Sequence, residues 1–201
     1  MAFTEFNNSI PAIALNKRAL LLVITLLLVS LHFPANSAIS LEHKVKAAYV
    51  FKLLKFIEWQ ENQEPLPGNN INICIIGSDP VLEAVRLLDS KKAKGRTINV
   101  TQKGSLDNMK TCQIVFIARS EKNNIDNILK KLKSRNYLTI SDIQGFSSSG
   151  GMIELATIDN KVKLIINRSH VNESNLSLSS KLLNIAILTG NKTEKTSGNG
   201  Q

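Results

Sequence analysis

The sequence predicts an α/β domain with a mostly parallel central sheet flanked by helices, followed by an antiparallel β-hairpin and a final helix. Short apolar runs alternate with amphipathic helical patterns, as they do in a parallel sheet that is covered on both faces. Two later apolar runs flank Asp159-Asn160, a turn of hairpin length. The segment 38–189 has the length of one domain.

The N-terminal segment has the pattern of a secretory signal peptide. Lys17-Arg18 precede an apolar run over 19–31, and small residues occupy 35–38. A basic region, an apolar stretch of about 7–15 residues and a small-residue site are typical of exported proteins. The run is shorter than the roughly 20 residues of a membrane span, although a retained anchor stays an alternative. We therefore expect a signal peptide over the first 37 residues, cleavage after Ser37 or Ala38, and a periplasmic mature chain.

The chain is basic, with a formal net charge of +9 at pH 7. Removal of a signal peptide containing Glu5, Lys17 and Arg18 would lower this charge by one. A basic surface suits an acidic partner or an anionic membrane face. Nucleic acid is not an expected partner, because an exported protein rarely meets it and the lysines are scattered outside the cluster at 91–96.

The two cysteines, Cys74 and Cys112, both lie in the part that would be exported. Two cysteines in an oxidising compartment suggest one disulfide. In the chain-entropy model, closing a loop of this length stabilises the fold by about 4 kcal/mol. The alternative is two buried thiols that never meet. Two thiols are too few for a structural zinc site, so no metal is predicted.

The first elements of the domain alternate helix and strand. Apolar residues recur at helical spacing over 47–59, which predicts an amphipathic helix with lysines on its other faces. A loop at 64–70 precedes the apolar run 71–76, which is predicted to be a buried strand. Asp79-Pro80 then suits a helix start, because aspartate caps and proline fits the first helical position. That helix places Leu88 at the end of its apolar stripe.

The same alternation continues towards the middle of the chain. Strands are predicted over 96–101, 114–118 and 137–140, because these runs are apolar or alternate in polarity. One helical turn is predicted over 105–109. A longer helix over 121–134 carries isoleucines and leucines on one face and lysines on the other. This order of elements is Rossmann-like.

The pattern changes after the last of these strands. A glycine-bracketed loop at 145–151 leads into the hairpin strands 152–158 and 161–166. A final helix is predicted over 179–188 from its apolar spacing. The polar residues 190–201 are predicted to be a disordered tail.

One turn has a composition found at anion-binding sites. Gly77-Ser78-Asp79-Pro80 joins a strand to a helix, and helix starts of this kind bind phosphates. The turn lacks the spaced glycines of a dinucleotide loop and the Gly-Lys-Ser/Thr of a P-loop. A plain capped turn is therefore the favoured interpretation, and no cofactor is predicted.

Catalytic patterns are not found in the sequence. There is no Gly-x-Ser-x-Gly elbow, and His43 and His170 have no metal-ligand spacing. A phosphoacceptor receiver domain would need an acidic residue at the place that Ala118-Arg119-Ser120 occupies. Asp142 is the best-placed carboxylate, because ligands of α/β sheets gather at strand carboxyl ends. A lone aspartate there is more often a turn or cap residue, so the chain is predicted to be non-enzymatic.

The glycine-bracketed loop is the best candidate for a recognition surface. It places Gly145-Phe146 and Gly150-Gly151-Met152 next to the strand end that carries Asp142. Loops on rigid scaffolds commonly carry binding residues, although a simple turn into the hairpin explains the glycines as well. The predicted partner- or ligand-binding residues are Asp142, Phe146, Gly150, Gly151 and Met152, with Phe146 and Met152 as apolar anchors.

An ordered set of short motifs spans residues 44 to 189. The segments that carry it are Lys46-Ala47-Ala48-Tyr49, Phe56-Ile57-Glu58-Trp59, Ile73–Pro80, Gly95-Arg96, Cys112–Ile117, Leu138–Asp142, Gly145-Phe146 with Gly150–Ile153, Ile165–Asn167 and Ser179–Leu183. No single segment is specific, but together and in this order they resemble the YfiR family. Gln60 departs from the pattern, since the family usually has proline there.

The resemblance implies a periplasmic repressor that binds the periplasmic part of an inner-membrane diguanylate cyclase. Such binding would lower cyclic di-GMP and biofilm formation, and an outer-membrane lipoprotein relieves the repression in characterised members. The resemblance also implies that Cys74 and Cys112 form one family disulfide. A second cysteine pair of some members would fall around 145–151, where this chain has serines and glycines, so the redox control proposed for those members is not expected here.

Two questions stay open at this level. A homodimer is possible. A periplasmic small-ligand carrier or sensor, binding in the crevice near Gly77–Asp79 and Asp142, is the alternative function.

Overall fold

A computed structural model of the chain describes residues 16–18, 39–59, 70–107, 109–133, 137–174 and 176–190. The predicted signal peptide lies outside the described residues except for 16–18. The predicted tail lies outside them except for Gly190. All elements described below belong to the unit 39–201.

Five helices and ten strands occur in the described part of this unit. The helices are α1 Leu41–Phe56, α2 Val81–Arg86, α3 Ile125–Leu132, α4 Arg168–Glu173 and α5 Ser180–Leu183. The strands are β1 Ile57–Trp59, β2 Asn70–Ile76, β3 Lys92–Ala93, β4 Arg96–Lys103, β5 Ile114–Ile117, β6 Leu138–Ser141, β7 Ile153–Ile158, β8 Lys161–Asn167, β9 Leu176–Leu178 and β10 Ile187–Thr189. A 3-10 helix over Arg119–Asn124 leads directly into α3.

Eight of these strands form one sheet in the order β10-β8-β7-β6-β5-β2-β4-β3. The five neighbours β7, β6, β5, β2 and β4 are parallel to one another. Strand β8 is antiparallel to β7, and β3 is antiparallel to β4. Strands β1 and β9 form a separate antiparallel pair. The predicted α/β class, with its mostly parallel sheet and antiparallel hairpin, is confirmed.

The two faces of the sheet bury separate apolar layers. On β2, Ile73 and Ile75 belong to the layer that contains α1 and α2, whereas Cys74 and Ile76 belong to the layer that contains α3. Alternate side chains of a strand point to opposite faces, and both faces here are covered. This explains why the parallel strands are continuously apolar in sequence. We call the apolar layer that contains α3 the α3 layer.

The hairpin turn between β7 and β8 follows its prediction. Asp159 and Asn160 both adopt left-handed backbone conformations, with φ of 50° and 57°. Two-residue turns with both φ values positive match the twist of antiparallel strands, and aspartate and asparagine tolerate them well. The turn sets the register that pairs Ile158 with Lys161.

Several predicted helices differ from the structure in extent. Helix α1 ends at Phe56, because Ile57 is extended and Ile57–Trp59 pairs with β9. The predicted helical turn at 105–109 has no helix in its described residues. The predicted final helix is only Ser180–Leu183, because Ile187–Thr189 pairs as a strand with β8. In both strand segments, pairing with a neighbouring strand outweighs the helical spacing of the apolar residues.

Candidate functional site

The carboxyl ends of three parallel strands bring charged residues together. Asp79 follows β2, Arg119 follows β5 and Asp142 follows β6. The Arg119 guanidinium forms ion pairs with both carboxylates, with Nη2 2.6 Å from Asp142 Oδ2 and Nε 3.4 Å from Asp79 Oδ2. Parallel strands end at one edge of a sheet, which is where ligands of such sheets usually bind. Asp142 therefore lies where it was predicted, and Arg119 joins it to Asp79.

Helix α1 adds a buried cation to this edge. Lys46 Nζ donates to Asp142 Oδ2 at 2.9 Å and to Glu42 Oε1 at 2.7 Å. The Lys46 side chain is 1% exposed, so the prediction that it lies on a non-buried face of the helix is wrong. An ammonium group is expensive to bury unless it is paired with carboxylates. The pairing with Asp142 and Glu42 accounts for its burial.

Glu42 is, with Arg119, one of the two exposed members of the group. Its Oε1 accepts a hydrogen bond from Thr157 Oγ1 at 2.7 Å in addition to the one from Lys46. The hydrogen bond from Lys46, followed by that from Thr157, lowers the pKa of Glu42 from its ordinary 4.5 to about 2, while burial acts in the opposite direction. The carboxylate is therefore charged under all but strongly acidic conditions.

These groups line an open depression that we call the charged cleft. Its volume is about 440 Å³. Its lining residues are Glu42, Lys46, Arg119, Asp142, Gln144, Glu154, Ala156, Thr157, Ile158 and Ile165. Asp142 Oδ1 is buried there and has no hydrogen-bond donor among the described residues. Glu42 and Arg119 are the exposed members of the charged group, whereas the Asp142 carboxylate is inaccessible to solvent.

The glycine loop, residues 143–151, is tied to the sheet by one buried carboxylate. Glu154 accepts the Gly145 N–H at 3.0 Å, the Ser147 N–H at 3.0 Å and the Ser147 hydroxyl at 2.9 Å. Asn167 Nδ2 adds a hydrogen bond to the Ser147 carbonyl at 2.8 Å. Hydrogen bonds to an ionised acceptor are about twice as strong as neutral ones. Glu154 therefore fixes the loop backbone from inside the protein.

Phe146 lies beneath this loop, fully buried in the α3 layer. A Cβ atom added to Gly151 would stand 2.2 Å from Phe146 Cε1, so the ring occupies the space that any side chain at 151 would need. The prediction of Phe146 as an apolar anchor for a partner is corrected, since its side chain is in the core of this conformation. The absence of a side chain at Gly151 leaves the space that the Phe146 ring fills.

Gly150 and Met152 line a second depression, which we call the histidine cavity. Its volume is about 520 Å³. Its lining residues are Asp126, Leu129, Lys130, Leu132, Lys133, Tyr137, Thr139, Ser149, Gly150, Met152, His170, Glu173 and Ser174. His170, which sequence reasoning placed at the surface, is half-buried, and its Nδ1 has no hydrogen-bond partner among the described residues. The glycine loop lies beside both depressions, because Gln144 lines the charged cleft.

The strand-to-helix turn at Gly77–Asp79 is closed by internal bonds. The Ser78 N–H donates to Ser120 Oγ at 2.8 Å, and the Val81 N–H donates to Asp79 Oδ1 at 2.8 Å. A Cβ atom at Gly77 would stand 2.4 Å from Ser120 Oγ. These contacts favour the plain capped turn. Gly77 and Ser78 border a separate open depression of about 470 Å³, whereas Asp142 borders the charged cleft, so the two halves of the predicted ligand crevice line different depressions.

Cys74 and Cys112 form a disulfide, as predicted. The bond joins β2 to the segment just before β5, with a Cα–Cα distance of 5.8 Å. Both cysteines belong to the α3 layer.

Across the described residues, none of the helices combines the length and apolar character that a bilayer crossing needs. The same residues hold no group of three histidine, cysteine, aspartate or glutamate side chains that could bind a metal ion.

Sequence reasoning identified one side chain of the charged cleft and missed its neighbours. Asp142 was found from its place at a strand end, whereas Lys46, Arg119, Glu42 and Glu154 were not. The spacing of Glu42 and Lys46 at i and i+4 was an available signal. It was overlooked because the predicted helix began at 47, while α1 begins at Leu41.

Comparison with known proteins gives one family and one similar fold. The sequence profile of the family described as YfiR/HmsC-like matches residues 43–187. A solved conserved domain protein from Vibrio cholerae superposes with a TM-score of 0.50 at 10% identity, over 73% of this chain and 60% of that one. At this identity the likeness concerns the fold alone, and the chain spans less than two thirds of that protein.

A further solved structure, a 3-hydroxyacyl-CoA dehydrogenase from Archaeoglobus fulgidus, has 15% identity and a TM-score of 0.29 over 57% of this chain and 50% of that one. That score is too low to bear on the fold or the function. No curated protein matches the chain.

Proposed function

Because this chain belongs to the YfiR/HmsC-like family, we propose that it is a non-enzymatic repressor that binds the periplasmic part of an inner-membrane diguanylate cyclase. The family is one of periplasmic regulators of diguanylate cyclase signalling. The observation that carries the proposal is the family match over 43–187, which spans the whole sheet except the last residues of β10. Its effect on the cell would be lower cyclic di-GMP and reduced biofilm formation.

The glycine loop supports the proposal as a contact surface. Gln144, Ser148 and Ser149 are exposed on it, while the buried Glu154 holds its backbone in place. A loop that is already ordered loses little conformational entropy when a partner binds. Met152 is half-buried at the edge of this surface and is its remaining apolar anchor.

Repression requires a difference in affinity between two states of the cyclase. A bound protein shifts an equilibrium only as far as it binds one conformation more tightly than the other. The chain would therefore bind the inactive form of the periplasmic sensor more tightly. An outer-membrane lipoprotein that competes for the same surface would relieve repression by removing the chain from the cyclase.

The direct test is recovery of the partner with a tagged full-length chain. Inner membranes solubilised in several detergents should yield a diguanylate cyclase with a periplasmic segment, identified by mass spectrometry. Ser148→Arg places a bulky cation on the exposed loop and should reduce the recovery about tenfold, which corresponds to about 1.4 kcal/mol. Ser105→Arg, on the exposed connection after β4, is the matched control.

Failure to recover any cyclase would count against the repressor function. Equal recovery with both variants would count against the glycine loop as its contact surface. Cyclic di-GMP in cells that express each variant provides the second readout. It should rise with Ser148→Arg and stay unchanged with Ser105→Arg.

Small-ligand binding is a second candidate function, and the histidine cavity favours it. The cavity of about 520 Å³ combines apolar walls from Leu129 and Met152 with the unpartnered His170 Nδ1. Binding pockets for small molecules commonly have apolar walls and a few polar groups. A ligand would raise the melting temperature by mass action, and His170→Ala should abolish that rise while His43→Ala, on α1, should not.

A further inference from the structure

We propose that the outward face of helix α1 adsorbs to a bilayer surface that contains anionic phospholipids. Such adsorption would raise the concentration of the chain next to a membrane-embedded partner. The inference goes beyond repression of a cyclase and does not depend on it, because it rests only on side chains that α1 and a neighbouring turn expose. Three observations support it: the composition of this face, the aromatic rings at its flanks and the cations beside its end.

The exposed residues of α1 form one stripe along the helix, which we call the α1 stripe. Their spacing of three or four residues keeps them on one side of the helix, over a length of about 21 Å. Three are lysines, three are apolar and none is acidic. They are Leu41, Lys44, Val45, Ala48, Lys52 and Lys55. The α1 stripe therefore presents positive charge that no carboxylate of the same stripe neutralises.

The first turn of the α1 stripe exposes apolar side chains next to a lysine. Leu41 is 78% exposed, and Val45, four residues later, is exposed beside it. A single exposed apolar residue is common on protein surfaces. Together with Lys44, these two give the mixture of apolar and basic side chains found on helices that lie in a membrane interface. A purely charged partner would leave Leu41 in water, whereas a bilayer interface receives both kinds of side chain.

Aromatic rings flank the α1 stripe on both sides. Tyr49 and Phe51 are half-buried there. Lys52 Nζ lies 5.7 Å from the centroid of the Tyr49 ring, and Lys55 Nζ lies 4.6 Å from that of the Phe51 ring. Lysine side chains in such positions cover apolar surface while the ammonium group stays in water. Tyrosine is enriched at the level of lipid head groups, so the flanks of the stripe also suit a bilayer interface.

The basic turn between β3 and β4 adds cations beside the end of the α1 stripe. Lys94 Nζ donates to the Ile57 carbonyl at 2.7 Å, which fixes the turn against the residue that follows α1. Lys91 and Lys92, which precede this turn, are exposed. Each lysine close to an anionic bilayer surface strengthens binding about fivefold. The stripe and the turn together therefore favour an adsorption that salt weakens.

The test measures co-sedimentation of the full-length chain with two kinds of vesicle. One contains phosphatidylcholine alone, and the other contains equal parts of phosphatidylcholine and phosphatidylglycerol. We expect the partition coefficient to be at least about tenfold higher on the anionic vesicles at about 0.1 M salt. At about 1 M salt, where charges are screened beyond about 3 Å, most of this difference should disappear.

Two charge variants locate the binding. Lys52→Glu/Lys55→Glu reverses two charges on the α1 stripe and should lower the partition coefficient on anionic vesicles at least about tenfold. Lys122→Glu/Lys131→Glu makes the same change of net charge at two exposed positions, on the 3-10 helix and on α3, which packs against the other face of the sheet. It should leave the partition coefficient nearly unchanged. Both variants keep the apolar run 19–31, so any contribution of that run cancels in the comparison.

A fluorescent variant tests the apolar end of the α1 stripe. Leu41→Trp places an indole at a highly exposed position of the stripe. Its emission should shift to shorter wavelength when anionic vesicles are added, because the ring leaves water for the interface. The wild-type chain, whose only tryptophan is Trp59, is the control and should shift less.

Three results would overturn the proposal. They are equal partitioning onto neutral and anionic vesicles, equal loss of partitioning in the two charge variants, and binding to soluble polyglutamate together with an unshifted emission of Leu41→Trp on anionic vesicles. The last result would assign the α1 stripe to an acidic protein. None of these results depends on whether a cyclase is recovered, so the two proposals fail separately.

Discussion

Two segments of this protein are fixed to the same apolar layer by different means. The segment between β2 and β5 is closed by the Cys74–Cys112 disulfide, and the glycine loop is closed by hydrogen bonds to Glu154. The covalent bond constrains the chain even when it unfolds. The hydrogen bonds act only while the loop is in place. Release of the glycine loop from Glu154 therefore needs no chemical reaction, whereas release of the segment before β5 requires reduction of the disulfide.

Removal of the disulfide should have the largest effect on the free energy of unfolding. In Cys74→Ala/Cys112→Ala, the loss of a cross-link between residues 38 apart should lower the free energy of unfolding by about 4 kcal/mol. Urea denaturation measures this change. Wild-type protein with a reductant should lose a similar amount, and a loss below about 1 kcal/mol in both would contradict the importance of the bond.

Removal of the hydrogen bonds to Glu154 should lower the free energy of unfolding by less, and its structural effect should be confined to the glycine loop. Glu154→Ala takes away the acceptor of the Gly145 and Ser147 amides, and hydrogen bonds to a charged group contribute about 1.5–3 kcal/mol. We expect a loss of about 2–3 kcal/mol and faster hydrogen exchange of these two amides. Glu83→Ala, an exposed carboxylate on α2, is the control. Unchanged exchange at Gly145 and Ser147 would show that Glu154 does not hold the loop.

Overpacking at Gly151 tests whether the glycine loop depends on Phe146. Gly151→Ala forces a methyl group against the Phe146 ring and should lower the free energy of unfolding by about 1–3 kcal/mol. Gly104→Ala is a matched control, because a Cβ atom there meets nothing within 4 Å. Equal stability of the two variants would mean that the ring moves aside freely.

Acid should have the smallest effect on the free energy of unfolding. It acts through Glu42 of the charged cleft, which the glycine loop borders at Gln144. The folded-state pKa of Glu42 is lowered from 4.5 to about 2, so its stabilising contribution is complete above pH 4.5 and is lost as the pH falls towards 2. Its side chain is 40% exposed, so we expect less than about 1 kcal/mol.

Glu42→Gln should flatten the decline of stability between pH 4.5 and 2. Glu83→Gln, again on α2, should leave it unchanged. A Glu42→Gln profile that overlaid the wild type would contradict the assignment. Urea denaturation at each pH measures these profiles.

The sequence predicted local structure well and long-range pairing poorly. The hairpin turn and the buried strands follow from nearby residues, since Asp159-Asn160 and continuous apolar runs are sufficient signals. The disulfide followed from two cysteines and the family resemblance. The burial of Lys46 could not be read in the same way, because its partner Asp142 is 96 residues away in the sequence.

Phe146 and strand β10 show that local sequence also fails to place some apolar residues correctly. An aromatic residue between glycines fits an exposed anchor as well as a core residue, and only the position of the α3 layer decides between them. The run 187–189 has apolar residues at a spacing that suits a helix, but the edge of β8 offers unpaired backbone groups to it. Backbone pairing with a distant strand is not encoded in local spacing.

The short strand β10 also forms one edge of the large sheet, where a strand of another molecule could add. Its three residues pair with Ile165, Ile166 and Asn167, so they cover the carboxyl-terminal part of the seven-residue β8. The other end of β8 carries exposed lysines at 161 and 163. Short edge strands and lysines both discourage one sheet from adding to another. The edge thus resists growth into aggregates, although Ile187 and Leu188 are exposed there.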